Sequence, residues 1–124
     1  MKYRETLPID CPPHDAEDVA AEMAVFRLVR DNPPTDKDFR SQRAEKPKAR
    51  FGVSECQARG LSVFAVLEDA RRICKLQRMR DRLICRVQLN IDAGKIKQTG
   101  KKSHYTWWPF ADFDILANCR VRWP

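Results

Sequence analysis

A chain of 124 residues with 43% apolar and 33% charged side chains is the size and composition of one globular domain, able to bury a core without metal or disulfide help. No stretch approaches the ~20 apolar residues of a membrane span, and Met1 to Glu5 lack the apolar run of a signal peptide, so a soluble cytoplasmic protein without a membrane role is expected. The net charge of +7 is concentrated in Arg40–Arg50, Arg71–Arg86 and the lysines at 95, 97, 101 and 102; it points to an anionic partner (nucleic acid, a phosphate-bearing cofactor or an acidic protein surface), or else to a plain solvated surface.

Residues 1–14 read as an irregular lead-in, because Pro8, Pro12 and Pro13 interrupt regular hydrogen bonding. Asp15 is placed to cap a short helix through Ala20, with acids in its first turn. Ala24-Val25-Phe26-Arg27-Leu28-Val29 is rich in β-branched and aromatic residues and predicts a strand. A helix to Arg30 competes with it, since Val19, Met23 and Phe26 have helical spacing. Residues 31–58 are a long loop-rich segment, whose start Phe39 is placed to pin.

Gly60 then introduces a short apolar strand, Leu61 to Ala65. Leu67 to Leu76 predicts a helix with Leu67, Ala70, Ile73 and Cys74 along one stripe, its early acids and late cations matching the helix dipole. Arg82 to Leu89 alternates, with Leu83, Cys85, Val87 and Leu89 inward and Ile84 the exception. Strand, helix and strand make a βαβ-sized unit, although the second strand has other pairing options. A turn at Asp92-Ala93-Gly94, a short strand at Lys95–Gln98 and a turn at Thr99–Lys102 lead into Ser103-His104-Tyr105-Thr106-Trp107-Trp108-Pro109-Phe110. Ile115 to Trp123 alternates as a final strand. The expected fold is α+β, a compact, mostly antiparallel sheet carrying one or two helices in a single domain of residues 1–124.

The five cysteines are an odd number without paired spacing, which predicts free thiols in a reducing compartment. Cys11-x-x-His14 is half a zinc site with no second half, so no metal is expected. No local signature marks a cysteine nucleophile, and the four scattered glycines match neither phosphate-binding loop. The aromatic block beside basic clusters suits base stacking and phosphate contact, hence a nucleic-acid-binding module. Neighbours on a strand face opposite ways, so one of Trp107 and Trp108 is expected in the core and the other exposed as a contact residue. Exposed aromatics and arginines equally suit a protein-interaction subunit of a larger assembly.

The order Val25-Phe26-Arg27-Leu28-Val29, then Gly60-Leu61-Ser62-Val63-Phe64-Ala65 with Glu68-Asp69-Ala70, then Leu83 to Leu89, resembles the ADP-ribosyltransferase-like superfamily. The likeness covers roughly residues 24–90 and implies a small NAD-handling protein, such as a toxin or effector acting on a macromolecule. It implies that Arg27 holds the pyrophosphate or ribose of NAD, that Ser62 shapes the nicotinamide site, and that Tyr105 or Trp107 stacks on the nicotinamide ring. Cleaving the nicotinamide–ribose bond builds positive charge on the ribose, which a carboxylate stabilises. The family's Ser-Thr-Ser and Glu-x-Glu patterns are missing here, so Asp112 or Asp114 would stand in for the catalytic glutamate, or His104 would take a different role. The implied site requires Arg27, Ser62 and His104 to converge on one cleft.

Overall fold

The computed structural model describes residues 2–123, excepting the side chain of Trp123. Those residues form seven strands: β1 (Glu17–Asp18), β2 (Met23–Val29), β3 (Leu61–Phe64), β4 (Leu83–Leu89), β5 (Gly94–Gln98), β6 (His104–Pro109) and β7 (Cys119–Trp123). Three short helices accompany them: α1 (Gln42–Glu45), α2 (Glu55–Ala58) and α3 (Leu67–Cys74). The fold is α+β, with every strand pair antiparallel in one sheet of order β1-β5-β6-β3-β2-β4-β7.

The strand reading of β2 prevails over the helical one because β4 offers a partner along its whole length, from Met23↔Leu89 to Val29↔Leu83. Val25 and Val29 on one face are fully buried. The helix expected from Asp15 to Ala20 does not form. Glu17 and Asp18 pair with Ile96 and Lys95 as β1, and the acids answer the basic strand beside them: Asp18 lies 2.6 Å from Lys95 Nζ and Asp15 2.9 Å from Lys97 Nζ. Extension also carries Val19 into the core.

Strands β3 and β4 run parallel, but β2 lies between them and is antiparallel to both. The expected βαβ unit is thus a crossover above an intervening strand. Helix α3 makes that crossover and packs on β2, β3 and β4, with Ala70 fully buried beneath it. Alanine allows the helix to approach closely; the Glu68–Arg71 pair is exposed, while Asp69 pairs with Arg72 and also accepts from Ser103 N at 3.1 Å, tying the helix to the segment before β6.

The other face of the sheet carries the core: Val25, Val29, Cys85, Val87 and Leu89 from the β2-β4-β7 half, and Leu61, Val63, Ile96 and Trp107 from the β1-β5-β6-β3 half. Beyond the strands, the cluster gains Val19, Phe39, Ala93, Phe113 and Ile115 from the connecting segments and their 3-10 turns. One core thus spans both halves of the sheet, on either side of the β2–β3 pair.

Both tryptophans are buried, at 0% and 2% exposure, which corrects the expectation of one exposed ring. Trp107 points into the core, its indole N–H donating to Ala93 O at 3.0 Å. Trp108 points to the outer face, where its N–H donates to Cys56 O at 2.9 Å. There α2 and the first residues of the chain cover the sheet. Tyr3 bridges to Phe110, Arg4 N donates to Pro109 O, and a disulfide joins Cys11 to Cys56. The lead-in is thus fastened at both ends, and two of the thiols expected to be free are oxidised to each other. Disulfides belong to oxidising compartments, so the argument for a cytoplasmic location from unpaired cysteines does not hold for Cys11 and Cys56. Cys74, Cys85 and Cys119 are free.

Segment 31–58 is less irregular than its prolines suggest. A 3-10 turn at Asp36–Phe39 is stapled by the Asp38 carboxylate, which accepts from Arg30 N at 2.7 Å and Thr35 N at 2.9 Å, while Phe39 is fully buried. The last strand starts at Cys119 and not at Ile115. Asp114 accepts from Ala117 N and Asn118 Nδ2, winding Leu116–Asn118 into a 3-10 turn. No helix among the described residues is long and apolar enough to cross a membrane.

Candidate functional site at the split of the sheet

Strands β2 and β3 pair only at Phe26↔Phe64. Where the ladder would continue with Leu28 opposite Ser62, a side chain bridges the gap instead: Arg27 Nη1 donates to Ser62 O at 2.8 Å. The same guanidinium donates through Nε to Asp38 O at 2.8 Å and through Nη2 to Arg40 O at 3.2 Å, and lies 5.7 Å from the Phe39 ring centroid. Arg27 thus ties β2, β3 and the 36–40 segment together. Burial lowers its pKa, opposed by the neighbouring Cys85 and Asp38 groups.

The gap is a cavity of about 350 Å³ lined by Arg27, Ser62 and His104, with Phe64, Ile73 and Met79 as apolar wall. A second cavity of about 300 Å³ shares Arg27, Arg30, Glu45, Ser62, Met79 and Arg82 with it and extends past Arg40, Lys46 and Phe51. The result is a two-lobed cleft with Arg27 and Ser62 at the join. Volumes in this range suit small ligands and cofactors.

His104 opens β6 directly opposite Phe64, and the two rings meet edge-on at 5.3 Å. Its Nδ1 is 3.0 Å from Thr99 O and 3.0 Å from Thr99 Oγ1, which in turn is 2.8 Å from Thr106 Oγ1. A carbonyl only accepts, so Nδ1 carries the proton and Nε2 holds the lone pair. Burial lowers the His104 pKa, with the Thr99 carbonyl bond opposing it, so the ring is neutral at pH 7.

The arrangement brings together three of the residues singled out by sequence and leaves out the rest. Tyr105 and Trp107 lie on the face of β6 opposite to His104; Tyr105 packs against the core, and Trp107 is sealed within it, edge-on to Phe113. Neither ring lines the cleft. Asp112 is exposed in the turn beyond the far end of β6 from His104, and Asp114 caps the 3-10 turn before β7. The carboxylates in the cleft are instead Asp38, occupied by its loop staple, and exposed Glu45. Glu45 was legible only as the lone acid within Arg40–Arg50. Arg30, Lys37 and Arg82 add cations at the rim.

Cysteine chemistry is disfavoured. Burial pushes the Cys85 thiol up to about 12 and raises Cys74 and Cys119 as well, the reverse of nucleophilic activation. The Cys11-x-x-His14 half-site is closed by the Cys11–Cys56 bond. Among the described residues, no group of three or more His, Cys, Asp or Glu is placed to hold a metal ion. No family model, curated protein or solved structure matches the chain.

Proposed function

We propose that the cleft between β2 and β3 binds NAD, and that the protein is a small ADP-ribosyltransferase-like enzyme acting on a macromolecule. The observation that supports this reading is the two-lobed cationic cleft with Arg27 and Ser62 at its join and neutral His104 in one lobe. A dinucleotide is itself two-lobed, joined by a doubly charged pyrophosphate. Arg30 and Arg82, common to both lobes, suit that charge. Phe64, Ile73 and Met79 suit a flat ring in the lobe with His104.

Glu45 then replaces Asp112 as the carboxylate that stabilises the cationic ribose as the nicotinamide–ribose bond breaks and nicotinamide leaves with the bonding pair. An acceptor hydroxyl attacks the ribose carbon, and its proton passes to His104 Nε2. The alternative nucleic-acid reading keeps its basic clusters but not its stacking rings: Trp107, Trp108 and Phe110 are buried, and Tyr105 is packed against the core.

The test is calorimetric titration of NAD together with an assay of nicotinamide release. Wild type should bind NAD and release nicotinamide, and Glu45→Gln should slow release by about 100-fold or more while leaving binding nearly intact. The acid limb of the pH profile should fall below the ordinary histidine pKa, because His104 is held neutral in the fold and loses its role only as it protonates. Absence of both heat and thermal stabilisation at millimolar NAD would reject the proposal.

A further inference from the structure

On the outer face of β4 and β7, Arg86 stands directly opposite Arg120 in the strand register. Opposed residues of an antiparallel pair have Cβ atoms about 5 Å apart, and like charges there are destabilising. Both side chains are exposed, and neither has an acidic or hydrogen-bonding partner among the described residues. Together with Gln88, Asn118 and Arg122 they line a cavity of about 320 Å³. Charged residues on an edge strand commonly discourage unwanted pairing, but Arg86 belongs to the inner strand, where that purpose does not place it.

Strand β7 is also the end of the sheet order, and its outer backbone edge has no strand partner among the described residues. Arg120 and Arg122 share one face, about 7 Å apart along the strand, while Val121 and Cys119 face the core side and are only partly covered. We infer that this corner is a docking site for an extended protein segment in which acidic and apolar residues alternate. The segment adds to the free edge of β7, its acids reaching the Arg86–Arg120 pair and its apolar residues extending the Val121 face. Backbone pairing with alternate side-chain pockets is the physics of strand addition, and guanidinium groups suit carboxylates. An acidic protein segment is favoured over nucleic acid because the buried Trp107, Trp108 and Phe110 are unavailable for stacking. This site is separate from the β2–β3 cleft and does not rest on the NAD reading.

The probe is a labelled octapeptide of alternating Glu and Val, compared with a peptide of the same composition in two blocks and with single-stranded oligo-dT. The alternating peptide should bind in a salt-dependent way and more tightly than either control. Arg86→Gln and Arg120→Gln should each weaken it about three- to fivefold, without lowering Tm, since each relieves a like-charge contact. Equal or tighter binding of a control, no binding of the alternating peptide, unchanged affinity in the double variant, or a lowered Tm would each overturn the inference.

Discussion

Gly60 lies opposite Trp108, and a Cβ there would collide with Thr106 Cγ2 and sit 3.1 Å from the Trp108 indole nitrogen. That nitrogen is held by Cys56 O, so the ring has little freedom to yield. Gly60→Ala should therefore destabilise the fold by about 1–3 kcal/mol, the cost of an overpacked position, as measured by urea unfolding; an unchanged midpoint would show that the outer tryptophan layer is soft. At the same scale, Arg27 was legible as a residue of interest but its duty was not. A strand-borne arginine suggests a ligand contact, whereas its donors to Asp38, Ser62 and Arg40 carbonyls make it first a brace for the cleft wall. Asp112 and Glu45 show the limit of reading acids from sequence. Which carboxylate enters a cleft depends on where a loop returns, and no local pattern records that.

Among elements, β2, β3, α3 and β4 were legible because their periodicities are written over neighbouring residues. Strand β1 was not: Asp15 does resemble a cap, but the partners that extend the segment, Lys97 for Asp15 and Lys95 for Asp18, lie about 80 residues away in sequence. The final strand was predicted too long for a similar reason, since Asp114 diverts residues 116–118 into a turn before β7 can begin. The lead-in and α2 act as one element through Cys11–Cys56, whose sequence separation of 45 corresponds to about 4 kcal/mol of chain-entropy stabilisation. Reduction, or Cys11→Ser with Cys56→Ser, should lower the unfolding free energy by roughly that amount and expose Trp108 to quenchers before Trp107. Equal quenching of the two rings, resolved with single-tryptophan variants, would disprove the covering role of the lead-in.

For the whole molecule, one core is shared by the two half-sheets, and the sparse β2–β3 pairing between them forms the wall of the cleft. Arg27 is the side-chain link across it. Arg27→Met should cost about 3 kcal/mol, because three carbonyls lose a charged donor, and hydrogen exchange should quicken in residues 36–40 and in β3 more than in β5 or β7. Uniform exchange would show that the brace is dispensable. The alternation of polar and apolar residues was sufficient by itself to determine an α+β chain with a largely antiparallel sheet, because side-chain periodicity is a local consequence of backbone geometry. The choice of Cys56 as the partner of Cys11, the burial of both Trp107 and Trp108, the gathering of Arg27, Ser62 and His104, and the exclusion of Tyr105, Trp107 and Asp112 from their cleft were decided only in three dimensions. Each depends on which distant segment covers a given face of the sheet, and that is settled by packing between residues far apart in the chain.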